Sequence, residues 1–410
     1  MRRINPKDFT MATRGTTREI NRQIVLTLIR THQPVSRADI SRLMKTNRAN
    51  VTFLVNELLE EKLIREGAQG NEKVRGRKPT FLYLNSQQES LAIAVDIRAS
   101  RTFMMVTDSI GRQIGEIVSF PTKFDPAEFV ASLGWQARKA LRLGSGSSSC
   151  DGIGIVVPGM VDRKSGTVIN APKLGWNYVN LIALLEKEFE GIEIHLENSG
   201  RACALSQIWS TTRGSSHGQN DIVFVSISDG LGVGVVINGE LVRGRHNTAG
   251  EFGHVPLSID GPPCSCGSNG CLEAYISNPA TLSRYFGRSV SSRSPQSLEI
   301  ADFTIEDLIA RARDNDSKAM TTLNSTARYL GMGLASIVNS LDPATIYIGG
   351  EITEAWDLIE VHVREALRER ALTTDLGNVQ LHIVPASEHP RLRGAVALVT
   401  APAFAAPKVA

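Results

Sequence analysis

The 410-residue chain contains no long apolar run. A membrane-spanning helix needs about 18 or more consecutive apolar residues, and the longest candidate, Ile153–Val161, is broken by Pro158 and Gly159. Membrane insertion is therefore not expected. The opening residues Met1–Lys7 are basic but lead into no apolar core, so no secretory leader is expected and a cytoplasmic location is. Cysteine is sparse. There are five, an odd number, which in a chain without a leader argues against a disulfide framework. Three of them, Cys264, Cys266 and Cys271, cluster, whereas Cys150 and Cys203 stand apart. With 42% hydrophobic and 21% charged residues the chain is too apolar to be disordered. Its length implies two or three domains.

The net charge of +3 hides an asymmetry. Residues 1–85 hold 17 Lys and Arg against 8 Asp and Glu; the remainder holds 28 against 34. A basic front end on a mildly acidic body suits a polyanion partner, and the alternative is a merely solvated basic face. The pattern beneath the charge is helical. Ile20, Ile24, Val25, Leu28 and Ile29 recur at helix spacing until Gln33-Pro34. Ser36 can accept from the Asp39 amide, and Asp39 can return the bond, which predicts a capped second helix with Ile40 and Leu43 facing inward. Asn47 can cap a third helix whose buried stripe is Val51, Leu54, Val55, Leu58 and Leu59. Arg48, Asn50, Thr52 and Asn56 are left on its open side.

This is the pattern of a helix-turn-helix, in which the third helix enters a DNA major groove. Arginine there suits guanine and asparagine suits adenine. The alternative is a three-helix module that binds protein or nothing. The segment Lys73–Pro79, followed by Phe81–Leu84, favours DNA. Leu63–Arg65 and Phe81–Leu84 can pair as a hairpin whose tip carries Arg75, Arg77 and Lys78. Such a wing can place its cations in a narrow minor groove.

From Leu91 onward strands alternate with helices, so the body is expected to be α/β. Predicted strands cover Leu91–Asp96, Thr102–Thr107, Gln113–Phe120 and Gly152–Val157, with a helix at Pro126–Leu143. A strand at Ile222–Ile227, a glycine turn and a further strand to Ile237 repeat the opening theme. Two such lobes with a cleft between them are the architecture of sugar kinases built like actin. His254, Cys264, Cys266 and Cys271 together offer one imidazole and three sulfurs, a set suited to tetrahedral zinc. Four protein ligands leave no open position, so the zinc would be structural. The alternative is a group of buried free thiols.

From Ser36 to about Ala397 the chain resembles ROK proteins, a family of sugar kinases and related repressors. The most specific segment is Gly250-Glu251-Phe252-Gly253-His254, followed by Cys264–Glu273. The resemblance implies an N-terminal winged helix-turn-helix followed by an α/β, actin-like and ribonuclease H-like, two-lobed sugar-kinase fold. The expected divisions are a DNA-binding head at 1–86, a first lobe at 87–195 completed by a C-terminal helix at 388–405, and a second lobe at 196–387 that carries the zinc loop. It also implies that His254 turns its second ring nitrogen to a sugar hydroxyl, joined by Asn198, Glu251 and Glu273. Support of the zinc loop is the alternative for the two glutamates.

ROK kinases carry Asn-Asp at a strand end, the Asp being the general base. This chain has Asn198-Ser199, and a serine cannot take the proton unaided. The family's Asp-x-Gly-Gly-Thr turn reads Asp96-Ile97-Arg98-Ala99-Ser100, and its Gly-Thr-Gly turn reads Ser228-Asp229-Gly230. The expectation is thus a sugar-responsive DNA-binding regulator, a repressor, and not an enzyme. Its partners would be a double-stranded DNA operator and a sugar or sugar phosphate, and it would act as a homodimer or homotetramer. The rivals are an active ROK kinase with a DNA-binding head and a regulator whose input is a transport protein.

Overall fold

A computed structural model describes residues 14–67, 80–85, 90–143, 149–210, 220–287 and 303–401. The expected wing-tip residues Arg75, Arg77 and Lys78, the connection at 144–148 and the Ser- and Arg-rich segment Arg288–Ile300 lie outside the described residues.

The head begins with α1 (Arg14–His32), β1 (Val35–Ser36), α2 (Arg37–Leu43) and α3 (Arg48–Glu60). The capping box at the start of α2 is formed: the Asp39 amide donates to Ser36 Oγ at 3.2 Å, and the Ser36 amide donates to Asp39 Oδ2 at 3.1 Å. Asn47 caps α3 by accepting from the Asn50 amide at 2.8 Å. Val51, Leu54, Val55 and Leu58 are buried against Val25, Leu26 and Ile29 of α1. Two expectations are corrected. Leu43 is 49% exposed, because α2 ends there and Ile40 alone points into the core. On α1 the buried stripe runs through Leu26, while Ile24 is 39% exposed. The wing strands β2 (Ile64–Gly67) and β3 (Phe81–Leu84) pair antiparallel, Ile64 opposite Leu84.

The body holds two five-stranded sheets of matching topology. In the first, β4 (Ser90–Ile97) turns into β5 (Arg101–Asp108) and β6 (Gln113–Pro121), which pair antiparallel on one side. After α4 (Pro126–Leu143), β7 (Ser149–Val157) joins β4 in parallel on the other side. A small three-stranded sheet follows, of β8 (Met160–Asp162), β9 (Thr167–Ala171) and β10 (Trp176–Asn180). Then come α5 (Leu181–Glu188) and β11 (Ile194–Asn198), which completes the order β11-β7-β4-β5-β6.

Helix α6 (Ser199–Ser210) leads into the second sheet, where β12 (Ile222–Ile227), β13 (Leu231–Ile237) and β14 (Glu240–Leu241) repeat the antiparallel meander. Helices α7 (Glu273–Ile276), α8 (Asn278–Phe286), α9 (Ile305–Arg313) and α10 (Ser317–Leu341) precede β15 (Thr345–Gly349). Helices α11 (Trp356–Arg370) and α12 (Thr374–Gly377) lead to β16 (Gln380–Val384), and α13 (Pro390–Thr400) closes the described chain. The order β14-β13-β12-β15-β16 mirrors the first sheet, with β15 and β16 parallel to β12.

The central strands read as continuous apolar runs because both their faces are covered. Leu91–Ile97 and Ile222–Ile227 are buried at every residue. Helices α4 and α5 cover the outer face of the first sheet, with Phe129, Leu133 and Leu185 in its core. Helices α8–α11 cover the second. Between the sheets lie α13 and α6. Leu392, Ala395 and Val396 of α13 share a core with Ala94 and Val156, while Cys203 and Ala204 of α6 share one with Ile222 and Phe224. The cleft opens at the end of this inner layer, where α6 begins.

Candidate functional site

The segment before His254 lies close against β13 and ends in a 3-10 turn, Phe252–His254. Beyond it the chain makes an extended excursion and returns. Gly267 (φ +94°) and Gly270 (φ +69°) take left-handed conformations that bring the loop back on itself. The Cys264 amide donates to the Ser268 carbonyl and the Gly267 amide to the Cys264 carbonyl. His254 Nδ1 and Cys264 Sγ then stand 3.6 Å apart, and Cys266 Sγ and Cys271 Sγ 3.7 Å apart. One ligand atom from each of the four residues lies within 4.8 Å of all the others.

Those spacings fit zinc. With Zn–S of about 2.3 Å and Zn–N of about 2.0–2.1 Å, a tetrahedron has S–S edges of about 3.8 Å and S–N edges of about 3.6 Å. Cys264 and Cys271 are buried. Burial, with Cys264 and Cys266 beside it, pushes the Cys271 thiol up to about 12, so a metal must displace protons to bind. Cys150 and Cys203 take no part. Cys203 lies fully buried in the α6 core, its thiol pushed up to about 11 by burial.

His254 faces two ways. Its Nδ1 points to the sulfur cluster, and its Nε2 lies 4.0 Å from Glu251 Oε2. Both residues line a cleft between the lobes, with Asn198, Glu273, Pro158 and Asn170. Burial raises the Glu251 carboxyl, and the nearby imidazole opposes that shift. Glu273 is already engaged: its Oε2 accepts from the Leu231 amide at 2.8 Å and its Oε1 from the Ser265 hydroxyl at 3.0 Å. Asn198 is the cap of α6. Its Oδ1 accepts from the Gly200 and Arg201 amides at 2.9 and 3.3 Å, while its Nδ2 donates to the Gly159 carbonyl at 2.8 Å. All four residues expected to meet a sugar therefore border one cavity.

The other end of the cleft is chemically different. Asp96 is fully buried, and its Oδ2 accepts from Arg98 Nε at 2.8 Å. Arg98 Nη1 reaches Glu351 Oε1 in the second lobe at 3.4 Å, and its guanidinium covers the Phe103 ring. Arg391 on α13 is a second counter-ion, 4.0 Å from Asp96 Oδ1. Asn278 donates to Glu351 Oε2 at 3.0 Å. A cation is thus built into the turn between β4 and β5. Asp229, also at this end, takes the Lys173 ammonium on its carbonyl. Ser199 is buried and lines the cleft beside Asn198.

Some of this was not visible in sequence. Arg98 and Glu351 are separated by 253 residues. Arg201 is 1% exposed and donates from Nε to Glu197 Oε1 at 2.7 Å. Arg163 and Arg243 approach the same buried Glu197. Trp176 is a packing residue, its Nε1 donating to the Phe124 carbonyl at 2.6 Å.

On the head, Arg48, Asn50, Thr52 and Asn56 all lie exposed along α3. Thr52 Oγ1 donates to the Arg48 carbonyl, and Asn56 Oδ1 accepts from Arg37 at 3.5 Å. Phe53, 54% exposed, shares that side and carries the Arg18 guanidinium over its ring. No described helix is long and apolar enough to cross a membrane.

Comparison with known proteins agrees with this geometry. The ROK family profile matches residues 141–401. The chain is 27% identical over 398 residues to a xylose repressor of Caldicellulosiruptor bescii, spanning 96% of this chain and 98% of the relative. A crystal structure of a ROK family transcriptional regulator, a homologue of the Escherichia coli MLC protein, superposes with a TM-score of 0.75 at 25% identity. That match covers 95% of this chain and 97% of the other. A ROK family glucokinase from Streptomyces griseus, solved with glucose and AMPPNP, matches with a TM-score of 0.63 at 27% identity. It covers 75% of this chain and 98% of its own.

Proposed function

The chain belongs to the ROK family, and from that premise we propose that it is a sugar-responsive transcription repressor that binds its sugar without phosphorylating it. The observation that carries this reading is the unequal fate of the two ends of the cleft. The sugar end keeps His254, Glu251, Glu273 and Asn198 around one cavity. The phosphate end holds the Arg98 guanidinium between Asp96 and Glu351 and offers Ser199 where a base is required.

Zinc would be held by His254 Nδ1 and the sulfurs of Cys264, Cys266 and Cys271. When bound, it supplies no catalytic chemistry in this closed set; it locks the His254 ring and its tautomer. Nε2 is then presented as a fixed hydrogen-bonding group, and the Glu251 and Glu273 carboxylates accept from sugar hydroxyls. Pentoses are the first candidates, since similar proteins include a xylose repressor. In the head, Arg48, Asn50, Thr52 and Asn56 meet base edges, and Arg75, Arg77 and Lys78 meet the minor groove. A homodimer in the cytoplasm places two such heads on a palindromic operator.

Sugar closes the lobes and shifts operator affinity by no more than its own differential affinity for the two states. The test is a sugar panel read three ways: thermal shift, operator release and coupled ADP formation. The reading predicts stabilisation and release by one sugar with ADP at the no-enzyme background. Sugar-dependent ADP formation overturns the non-catalytic part, and the absence of any stabilising sugar overturns the sensor part.

A further inference from the structure

We propose that α6 is the lever that carries the state of the cleft to the DNA-binding head, and that the stacking of Arg30 on Trp209 is its coupling joint. This rests on the sensor reading above. The first turn of α6 is clamped by both lobes. Its cap, Asn198, donates to the Gly159 carbonyl of the first lobe. Gly200 lies so close to the second lobe that a Cβ there would stand 2.5 Å from the Val233 amide nitrogen. A change in the angle between the lobes therefore acts directly on this turn.

The helix is built to move as a unit. Ala202, Cys203 and Ala204 are fully buried, and Arg201 is tied to Glu197 at the strand end that precedes it. Gly394 packs α13 on the Ala202 carbonyl. Twelve residues rise about 18 Å, which takes the motion to Trp209 at the far end.

There the head takes hold. The Arg30 guanidinium sits 3.6 Å from the centre of the Trp209 ring, and Arg30 Nη1 donates to the Trp209 carbonyl at 3.1 Å. A cation on the last carbonyls of a helix is favoured by the helix dipole. The indole also abuts the β5–β6 turn: a Cβ on Gly111 would lie 3.7 Å from Trp209 Nε1. The preceding Ile110 packs on the head core. Arg30 belongs to α1, which shares that core with α3 and is tied to it by the ion pairs Arg18–Glu57 and Arg22–Glu61. The path from cleft to α3 is thus one of packed, rigid elements.

The experiment uses the full-length protein and the variants Trp209→Ala, Arg30→Gln and Trp209→Phe. The DNA is a duplex selected by the wild-type protein from a random pool. The sugars are d-xylose, d-glucose and N-acetyl-d-glucosamine. Sugar affinity is read by calorimetry, and operator affinity by fluorescence anisotropy with and without saturating sugar. Wild type is expected to change operator affinity by roughly 5- to 100-fold, the usual span of such coupling. Trp209→Ala and Arg30→Gln should reduce that ratio to under about twofold while keeping sugar affinity and sugar-free operator affinity within about threefold. Trp209→Phe, which keeps a ring face for the guanidinium, should retain most of the ratio. A wild-type ratio preserved in Trp209→Ala and Arg30→Gln overturns the lever while leaving the sensor intact. A wild-type protein with no sugar-dependent change overturns the sensor reading and the lever with it.

Discussion

Replacing Arg98 with alanine tests whether the built-in cation stabilises the turn between β4 and β5. Asp96 is buried to 1% side-chain exposure and Arg98 to 28%, so solvent screens their contact poorly. The variant removes one charge-assisted hydrogen bond of 2.8 Å from a carboxylate that stays buried. Hydrogen bonds to charged groups contribute about 1.5–3 kcal/mol, and breaking a buried pair outright costs about 3–5 kcal/mol. The lower range applies here, because Arg391 remains 4.0 Å from Asp96 Oδ1. That oxygen has no hydrogen-bond partner among the described residues, so little spare bonding exists to absorb the loss. The expected destabilisation is about 2 kcal/mol, or roughly 4–8 °C in Tm. Calorimetry of Arg98→Ala, Asp96→Asn and the double variant measures the interaction directly. The double variant should be less destabilised than the sum of the singles by about 1–2 kcal/mol. Strict additivity, or an Arg98→Ala variant within about 0.5 kcal/mol of wild type, would refute the reasoning.

Other outcomes follow from the same geometry. Cys271→Ser should lower bound zinc, read by elemental analysis, from about one ion per chain to nearly none, and should abolish sugar-induced stabilisation with it. Ser199→Asp alone should yield no ADP in the coupled assay, because Arg98 and Asp229 still occupy the phosphate turns. Arg48→Ala or Asn50→Ala should weaken operator binding by about 1–3 kcal/mol and relax preference at one base, with folding unchanged because both side chains are exposed. His195 is held below the ordinary imidazole range chiefly by burial, with Glu193 opposing and Arg163 adding to the shift. The folded state therefore binds that proton less readily than the unfolded one. Its contribution to stability is present above about pH 6.5 and lost as pH falls from there. Tm measured from pH 7.5 down to 5.5 should fall less steeply in His195→Gln than in wild type.

Local chemistry made much of the fold legible. The Ser36–Asp39 box, the Asn47 cap, the helix Pro126–Leu143 and the strand Ile222–Ile227 all follow from signals a few residues long, and the structure has them at those bounds. Where only one residue of a short helix can face inward, periodicity misleads, as Leu43 shows. The His254 and cysteine group was legible because glycine-spaced thiols leave few other uses, and the loop does gather them. The Arg98–Glu351 bridge was not, since its partners meet only when two lobes close on each other. Arg201 is buried for a local reason. Its burial depends on α6 springing directly from β11, which places Glu197 four residues back as its partner. The joint at Arg30 and Trp209 joins the head to the body across 179 residues and has no local signature.

The most direct test of the account is to let a sugar release the operator in the presence of MgATP and then recover that sugar for mass spectrometry. Anisotropy should fall as the DNA dissociates, and the sugar should be recovered with its mass unchanged. A sugar recovered as its phosphate ester would contradict it.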